Sequence, residues 1–226
     1  MPKTYSIAID GPAGAGKSTI AKTLAKELGF YYVDTGAIYR TVAYFLDLLG
    51  ISPKDTDGVE RYIDELTISI EYDEEGAQHM IMNGMDVSND IRTQDISQKA
   101  SLVSAHSVVR DVLLDMQRDV AKKHNVIMDG RDIGTVVLPK ANVKIFLTAD
   151  PEVRAKRRYD ELIAKGQKAD LPQILKEIKQ RDHQDMTRTI APLKQAKDAV
   201  LVDTSPLDIE GVVAEIKRIV KEKIGL

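Results

Sequence analysis

The residues with the clearest chemical meaning in this sequence form the pattern G-x-x-x-x-G-K-[ST]. Glycines in such a pattern leave backbone N–H groups free to surround an anion, and a helix that begins directly behind them points its positive end at phosphate groups. The lysine then reaches the β- and γ-phosphates of a nucleotide, and the serine hydroxyl coordinates Mg²⁺. The predicted ATP-type phosphate site consists of Gly11, Pro12, Ala13, Gly14, Ala15, Gly16, Lys17, Ser18 and Thr19.

The segments on either side of this pattern have the periodicity that such a loop needs. Ile7-Ala8-Ile9 is a short apolar run, typical of a buried strand. Behind the loop, Ile20, Leu24 and Leu28 recur at helical spacing, and Gly29 stands where a helix would end. The alternative is a glycine-rich turn that binds nothing, and the strand–loop–helix context argues against it.

Arginines outside the loop form a second chemical group. Taken singly, each could be a solvated surface residue, and Arg181 could simply pair with Asp185 four residues later. Taken together, the arginines of residues 151–192 predict a flap that closes over the phosphate loop, supplies positive charge for phosphoryl transfer and excludes water. The arginines concerned are Arg154, Arg157, Arg158, Arg181 and Arg188, with Arg40, Arg110 and Arg131 elsewhere in the chain.

Spacing suggests roles for some of these arginines. Arg154 and Arg158 lie four residues apart on one helical face, and both are predicted to bind ATP. The predicted catalytic cations are Lys17, Arg131, Arg158 and Arg188. No general-base constellation is evident, which fits an acceptor that is itself an anionic phosphate and needs no deprotonation.

Two carboxylates lie where predicted strands end. Asp34 follows the apolar residues 30–33, and Asp129 follows residues 126–128. Ligands of parallel sheets bind beyond the carboxyl ends of the strands, so both carboxylates are predicted, together with Ser18, to hold Mg²⁺ or its bound water. Alternatively, each carboxylate caps the turn that follows it.

The order of the predicted elements indicates an α/β protein with the P-loop NTPase fold, a five-stranded parallel sheet flanked by helices. Strands are predicted over residues 7–9, 30–34, 126–129, 143–147 and 199–203, and helices include residues 37–49, 107–123 and 207–223. The buried stripe of the helix over residues 107–123 is predicted to comprise Val108, Val109, Val112, Leu113, Met116 and Val120.

An antiparallel β insertion is predicted where the apolar period changes from helical to alternating. Ile68, Ile70 and Tyr72 alternate with polar residues, and Asn83-Gly84 marks a tight hairpin. The predicted core domain comprises residues 1–62, 105–150 and 193–226, the insertion covers residues 63–104, and a helical lid covers residues 151–192.

Composition excludes several classes of function. The chain has 226 residues, no cysteine and a formal net charge of −3 at pH 7. The absence of cysteine excludes disulfides and thiolate metal sites, and the mild negative charge argues against a general nucleic-acid or membrane surface. The first residues run into a predicted strand without a long apolar stretch, which predicts a cytoplasmic protein.

A guanine-nucleotide switch is also disfavoured. Such proteins read the base with an Asn-Lys-x-Asp motif, and no Asn-Lys pair occurs in this sequence. The segment Asp55-Thr56-Asp57-Gly58 has the D-x-x-G spacing of a switch loop, but no strand precedes it. A switch function is therefore not expected.

An ordered set of motifs resembles the bacterial cytidylate kinases over essentially the whole chain. The motifs are Gly11–Ser18, Asp34-Thr35-Gly36-Ala37-Ile38-Tyr39-Arg40, Ile91-Arg92-Thr93-Gln94, Asp129-Gly130-Arg131-Asp132-Ile133-Gly134-Thr135, and Arg181-Asp182 with Arg188 and Ala191-Pro192-Leu193. The resemblance implies a nucleoside monophosphate kinase fold with an enlarged monophosphate-binding insertion and a mobile lid. It also implies the transfer of a phosphoryl group from ATP to CMP or dCMP, giving ADP and CDP or dCDP, with Mg²⁺ as cofactor.

The resemblance also implies the roles of individual residues. By analogy, the CMP phosphate is held by Thr35, Arg40, Arg131 and Arg188, the cytosine is read by Ser101, Arg110 and Asp132, and the sugar is held by Arg181 and Asp185. Many relatives have serine where this chain has Thr35, and both residues supply a hydroxyl.

Other readings remain open at this point. The chain could be a P-loop kinase for another monophosphate or for a sugar acid, but the antiparallel insertion and the arginines outside the loop favour a nucleotide. It could also be a non-catalytic nucleotide-sensing module, or an α/β domain without activity. We expect ATP, ADP, CMP and dCMP as partners, no nucleic acid or membrane, and a monomer.

Overall fold

The structure is a computed structural model and describes residues 4–226. Its contacts divide the chain into two compact units. Among the described residues, the first unit contains Thr4 and Tyr31–Val126, and the second contains Tyr5–Phe30 and Ile127–Leu226. Residues 1–3, which belong to the predicted core domain and to the segment used to predict a cytoplasmic protein, lie outside the described residues.

The helices and strands follow the alternation expected from the sequence. The helices are α1 (Lys17–Leu28), α2 (Thr35–Leu48), α3 (Thr56–Tyr62), α4 (Gln94–Val103), α5 (Ser107–Lys123), α6 (Pro151–Ala164), α7 (Leu171–Thr187) and α8 (Ile209–Ile224). The strands are β1 (Ser6–Asp10), β2 (Tyr31–Asp34), β3 (Ile68–Tyr72), β4 (Gln78–Met82), β5 (Met85–Asp86), β6 (Val126–Gly130), β7 (Val143–Thr148) and β8 (Val200–Asp203). A π-helical turn at Ile133–Val137 follows β6. No helix in the described part of the chain has the length and apolar character needed to cross a membrane.

The larger sheet has five strands in the order β2-β6-β1-β7-β8, which confirms the predicted five-stranded parallel sheet. Within it, β1 and β7 pair in parallel, with Ile7 opposite Val143 and Ile9 opposite Ile145. All four of these side chains are buried. Strands covered by helices on both faces are largely apolar, and this explains why apolar residues dominate β1 and β7, with Lys144 as the charged exception in β7.

The final helix, α8, buries one face of five apolar residues, as its periodicity predicts. These residues are Val212, Val213, Ile216, Ile219 and Val220. The helix begins at Ile209, slightly later than expected, because the Asp208 carboxylate accepts a hydrogen bond from the Gly211 N–H at 2.8 Å and caps the helix. It ends at Gly225, which has a φ of 76°.

The predicted antiparallel insertion is present in the first unit as the three-stranded sheet β3-β4-β5. Asn83 and Gly84, between β4 and β5, both have positive φ angles of 48° and 82°. Two positive φ angles at the centre of a two-residue hairpin define the turn that Asn-Gly favours, and the hairpin prediction is confirmed. Tyr72 of β3 donates a hydrogen bond from its hydroxyl to the Tyr32 carbonyl at 2.9 Å and so ties the insertion to β2.

The predicted buried stripe of α5 is partly wrong. Val112 is 44% exposed, whereas Arg110 and Gln117 are buried together with Val109 and Leu113. Positions 109, 113 and 117 follow the four-residue spacing of one helix face, and position 110 lies beside them. An apolar pattern alone misplaces the stripe because two of its buried positions hold polar side chains.

The segment with D-x-x-G spacing is a helix start. The Asp55 carboxylate accepts a hydrogen bond from the Gly58 N–H at 3.0 Å and caps α3. The aspartate and glycine of this segment therefore meet in a helix cap, which explains their spacing without a nucleotide. This agrees with the expectation that the chain is not a guanine-nucleotide switch.

The connection from β1 into the phosphate loop depends on a residue without a side chain. Gly11 has a φ of 148°, and a Cβ atom at this position would lie 2.0 Å from the carbonyl oxygen of Leu147 in β7. Both the backbone conformation and the available space therefore require glycine.

We predict that Gly11→Ala destabilises the protein by on the order of 3 kcal/mol or more, because strain and steric overlap act together. Gly166→Ala is the matched control, since Gly166 also has a positive φ of 70° but has open space around its Cβ position. Its cost should be about 1 kcal/mol. Urea unfolding of both variants checks this prediction, and equal losses would show that the contact with Leu147 does not restrict residue 11.

Candidate active site

The phosphate loop of the second unit has the backbone form of an anion site. Gly14 and Gly16 have positive φ angles of 76° and 88°, and α1 begins at Lys17, two residues earlier than the apolar spacing indicates. Gly16 is the N-cap of α1 and has no side chain to occupy the first N–H groups of the helix. These groups and the helix dipole can therefore face a phosphate.

Lys17 is buried at the start of α1, and its Nζ donates a hydrogen bond to the Pro12 carbonyl at 2.8 Å. Burial is the main reason that the pKa of Lys17 is lowered to about 7, and the guanidinium of Arg131 contributes to the same shift. The carboxylates of Asp129 and Asp185 act in the opposite direction. An anion such as a phosphate would favour the charged form of this lysine.

Ser18 and Asp129 are adjacent in this unit. The Ser18 hydroxyl donates a hydrogen bond to Asp129 Oδ2 at 2.9 Å, and Asp129 is buried near the end of β6. Because the hydroxyl proton points at the carboxylate, the oxygen lone pairs of Ser18 can still coordinate a cation. Hydroxyl and carboxylate oxygens are the hard ligands that Mg²⁺ prefers, so this pair fits that metal.

The acidic groups of the described residues contain no cluster of three or more that could hold a metal by themselves. Mg²⁺ bound to a nucleotide usually has only one or two protein carboxylates, and phosphate oxygens and water complete its shell. The sparse protein ligands at Ser18 and Asp129 are therefore of the kind that a metal–nucleotide complex requires.

Asp10, a residue that the motif analysis missed, connects the phosphate loop to the segment after β6. Its Oδ1 accepts a hydrogen bond from the Ile133 N–H and its Oδ2 from the Gly134 N–H, both at 2.7 Å. A Cβ on Gly134 would lie 3.3 Å from Asp10 Oδ2 and 3.1 Å from Lys144 Cδ. Asp10 thus holds the backbone directly after Arg131 and Asp132.

The predicted phosphate and sugar residues of α7 lie close to Arg131. Arg131 donates from Nε to Asp185 Oδ2 at 2.8 Å. Burial alone would raise the pKa of Asp185, but the guanidinium groups of Arg131, Arg181 and Arg188 hold that pKa below its ordinary value. Asp185 is therefore an ionised acceptor at neutral pH.

Asp132 and Arg188 are also neighbours. Arg188 Nη2 lies 3.6 Å from Asp132 Oδ1, and both side chains are largely buried. Arg188 donates from Nε to the Ala191 carbonyl at 2.8 Å. The predicted base-reading carboxylate and a predicted phosphate-binding arginine thus lie together within the second unit.

The two arginines predicted to bind ATP from one helical face have different environments. Arg154 is buried and donates to the Ala13 carbonyl of the phosphate loop at 2.9 Å, whereas Arg158 is exposed and pairs with Glu161. Arg157, between them, donates from Nη2 to the Thr204 carbonyl at 2.6 Å. Arg154 and Arg158 are therefore four residues apart on one helix, but their side chains differ in burial.

In the first unit, Asp34 and Arg40 shape the start of α2. Asp34 Oδ1 accepts a hydrogen bond from the Ala37 N–H at 2.8 Å, and its Oδ2 accepts one from Arg40 Nη2 at 2.9 Å. Because of this cap, α2 begins at Thr35 and not at residue 37 as predicted. Thr35 is buried, and the Nε of Arg40 is buried without a hydrogen-bond partner among residues 4–226.

Gly36 and Gln78 support this arrangement. A Cβ on Gly36 would lie 3.1 Å from both Arg40 Nη1 and Asp34 Oδ1, so glycine gives the two side chains room to meet. Gln78 of the insertion accepts a hydrogen bond from the Asp34 N–H at 2.7 Å. The antiparallel insertion thereby helps to fix the position of Asp34.

The predicted cytosine-reading residues of the first unit lie on α4 and at the start of α5. Arg110 is buried, donates to the Ser104 carbonyl at 3.3 Å, and lies with its guanidinium carbon 5.6 Å from the centre of the Tyr39 ring. Ser101 is partly buried, and its carbonyl accepts a hydrogen bond from the Ser104 hydroxyl at 2.8 Å. The ring face of Tyr39 and the Ser104 carbonyl restrain the direction of the Arg110 side chain.

Comparison with known proteins identifies the family. The family model described as cytidylate kinase matches residues 7–222. The chain belongs to the cytidylate kinase family. The match covers the phosphate loop, the antiparallel insertion and α7, and family membership makes the chain a kinase.

Full-length relatives agree with this identification. The cytidylate kinase of Exiguobacterium sp. is 48% identical over 222 residues, which cover 98% of this chain and 99% of the relative. That of Carboxydothermus hydrogenoformans is 49% identical over 217 residues, which cover 96% and 97%. A crystal structure of an uncharacterized protein from Eubacterium ventriosum has a TM-score of 0.52 at 14% identity, covering 96% of this chain and 99% of that one, and shows likeness of fold alone.

The ionisation of Asp10 gives this member of the cytidylate kinase family a testable pH dependence. Burial is the main reason that the pKa of Asp10 is raised to about 6, and Asp132 adds to this, while the two backbone N–H donors and Lys17 oppose it. The folded state therefore binds more protons than the unfolded state between about pH 4 and pH 6. The contribution of Asp10 to the free energy of unfolding is most favourable below about pH 4 and is lost as the pH rises through about 6.

We predict that wild type loses on the order of 3 kcal/mol of stability relative to Asp10→Asn between about pH 4 and pH 7, because only the wild type ionises at this position. Urea unfolding of both proteins across that range measures the difference. A difference that stays constant with pH would contradict the raised pKa of Asp10.

Proposed function

We propose that this member of the cytidylate kinase family transfers the γ-phosphoryl group of ATP to the phosphate of CMP or dCMP, giving ADP and CDP or dCDP. The observation that supports this most strongly is the match of the cytidylate kinase family model to residues 7–222, and the environment of Lys17 agrees with it. The lysine of the phosphate loop lies close enough to Arg131 for the guanidinium to lower its pKa. A donor-phosphate residue and an acceptor-phosphate residue thus act on each other within one unit.

The donor side consists of the phosphate loop with Mg²⁺. The backbone N–H groups of Gly11 and residues 13–16 and the Lys17 ammonium bind the phosphates of ATP, and Ser18 with Asp129 holds the metal. When bound, Mg²⁺ neutralises phosphate charge as the phosphoryl group is transferred. Asp34 is the weaker candidate for the metal because Ala37 and Arg40 occupy both of its carboxylate oxygens.

The acceptor side needs cations and no base. A phosphate monoester is close to fully ionised at neutral pH, since its second pKa is about 6, so its oxygen is already a nucleophile. The residues of the second unit proposed to bind this phosphate are Arg131 and Arg188. Those of the first unit are Thr35 and Arg40. The buried Nε of Arg40 supports the proposal because a buried donor requires an acceptor.

The base and the sugar are recognised by polar side chains of the predicted set. Asp132 is buried beside Arg188 and accepts from the cytosine amine, while Arg110 and Ser101 contact the other polar groups of the base. Arg181 and the ionised Asp185 hold the sugar hydroxyls. A sugar site with this acceptor can bind the 3′-hydroxyl, which CMP and dCMP share.

Further features belong to the same proposal. The core, insertion and lid keep the proposed boundaries given above, with residues 151–192 as a lid that closes over bound nucleotides and Arg158 as an ATP contact on its exposed face. We also propose that the protein acts as a monomer in the cytoplasm, without nucleic-acid or membrane partners.

A coupled ADP-release assay tests the proposed reaction. The assay uses ATP, Mg²⁺ and, separately, CMP, dCMP, UMP, AMP and GMP. We expect the highest kcat/KM with CMP and dCMP. Higher activity with another monophosphate would support a different kinase, and no stimulation by any acceptor would support a nucleotide-sensing module.

We predict that Lys17→Ala lowers kcat with CMP by roughly 10²-fold or more, because it removes the cation nearest the migrating phosphoryl group. Lys26→Ala, an exposed lysine near the end of α1, is the matched control and should retain activity. Steady-state kinetics, with circular dichroism to verify folding, provide the measurement. Near-normal turnover in Lys17→Ala would exclude the phosphate loop as the donor site.

We predict that Asp132→Ala reduces kcat/KM for CMP by roughly tenfold to hundredfold more than for UMP. An ionised carboxylate only accepts hydrogen bonds, so it attracts the amine of cytosine and opposes the carbonyl that uracil has in its place. Kinetics with both substrates measure the ratio. If Asp132 only oriented an arginine such as Arg188, both substrates would lose equally and the ratio would not change.

A further inference from the structure

The guanidinium of Arg154 is unusual in the number of protein groups that it binds. Its Nε donates to the Ala149 carbonyl at 2.8 Å, and its Nη1 donates to the Ala13 carbonyl at 2.9 Å. Nη1 and Nη2 also donate to Asp182 Oδ1 and Oδ2, at 3.1 Å and 2.6 Å. A guanidinium has five N–H donors, and this set engages four of them with protein acceptors.

These acceptors belong to three different parts of the second unit. Ala149 lies between β7 and α6, Ala13 lies within the phosphate loop, and Asp182 lies on α7. The side chain also passes beside the loop, because a Cβ on Gly14 would lie 3.4 Å from Arg154 Cβ. Arg154 therefore joins the loop that binds ATP to both helices of the segment 151–192.

Asp182 determines what this connection does for the site. It stands next to Arg181 and three residues before Asp185, on the helix that Arg188 directly follows. All three neighbours have proposed roles in binding CMP. A rigid link from Asp182 through Arg154 to the Ala13 carbonyl fixes that helix relative to the phosphate loop.

We propose that Asp182 and Arg154 form a positioning pair that sets the acceptor-binding face of α7 against the donor-binding loop. The inference rests on the proposed function, because it assumes that α7 binds the acceptor. It also changes the role of Arg154, which the sequence indicated as an ATP ligand. Moving this guanidinium onto a phosphate would leave the buried Asp182 carboxylate without its partner, which is unfavourable in a buried site.

A second ion pair between the same helices provides a control. Lys179 Nζ on α7 lies 2.8 Å from Glu152 Oε1 on α6, and both side chains are more than half exposed. This pair connects α6 to α7. Within residues 4–226, neither of its side chains forms a hydrogen bond to the phosphate loop. Exposed pairs of this kind contribute little, so its loss should leave activity unchanged.

The experiment compares Asp182→Asn, Arg154→Lys, the double variant and Glu152→Gln in ADP-release kinetics with CMP. We expect each single variant of the pair to lose roughly 10- to 100-fold in kcat/KM, because small displacements of reacting groups have effects of this size. The double variant should be no worse than the poorer single variant. Glu152→Gln should stay within about twofold of wild type.

Hydrogen exchange separates positioning from simple stabilisation. In Asp182→Asn without nucleotide, the amides of residues 13–16 should exchange faster than in wild type, and in Glu152→Gln they should not. Asp182→Glu retains the charge and should recover part of the lost kcat/KM. This variant also decides the matter if Asp182→Asn does not fold, since unchanged kcat/KM in a less stable Asp182→Glu would overturn the proposal.

Two other results would overturn the positioning role. One is normal kcat/KM per folded molecule in Asp182→Asn, which would leave the pair with a structural role only. The other is a raised KM for ATP in Arg154→Lys with no effect of Asp182→Asn, which would make Arg154 a direct ATP ligand. Lack of CMP phosphorylation by wild type would instead refute the proposed function, and the two failures are thus distinguishable.

Discussion

The buried ammonium of Lys17 is the constraint on which the second unit depends. A charged group in a buried site needs nearby anions, and this chain supplies Asp129 and Asp185 within electrostatic reach. Each of those carboxylates serves a second group, because Asp129 accepts from Ser18 and Asp185 accepts from Arg131. The charges that make burial of the lysine tolerable are thus the same charges that orient a proposed metal ligand and a proposed substrate ligand.

Backbone groups carry much of the precision of this site. Asp10 binds two consecutive N–H groups after β6, Arg154 binds the Ala13 carbonyl, and Gly11 approaches the Leu147 carbonyl too closely for any side chain. A backbone group has no rotamers, so a contact to it fixes the position of the chain itself. These contacts therefore hold the loops in place relative to the strands that precede them. In the first unit, Gln78 contacts the Asp34 backbone in the same manner.

Local signals in the sequence predicted the features that depend on short-range pattern. The strand–loop–helix motif, the parallel sheet and the Asn83-Gly84 hairpin follow from glycine positions and from apolar spacing, and the structure contains all three. Asp10 could not be found in this way, and Asp182 was noted only as part of a family motif without a role, because the partners of both carboxylates are distant in the chain. For the same reason, helical spacing grouped Arg154 with Arg158, although tertiary packing buries only the first.

The long-range supports of the phosphate loop bear on the order in which the chain folds. All of these supports follow the loop in the chain: Gly11 lies against Leu147, Ser18 donates to Asp129, and the Ala13 carbonyl accepts a hydrogen bond from Arg154. Contacts so distant in sequence form slowly, since a long loop must close before they stabilise anything. Synthesis from the N-terminus therefore completes these supports only after Arg154 of α6 has been made, so the phosphate loop reaches its final form late in folding.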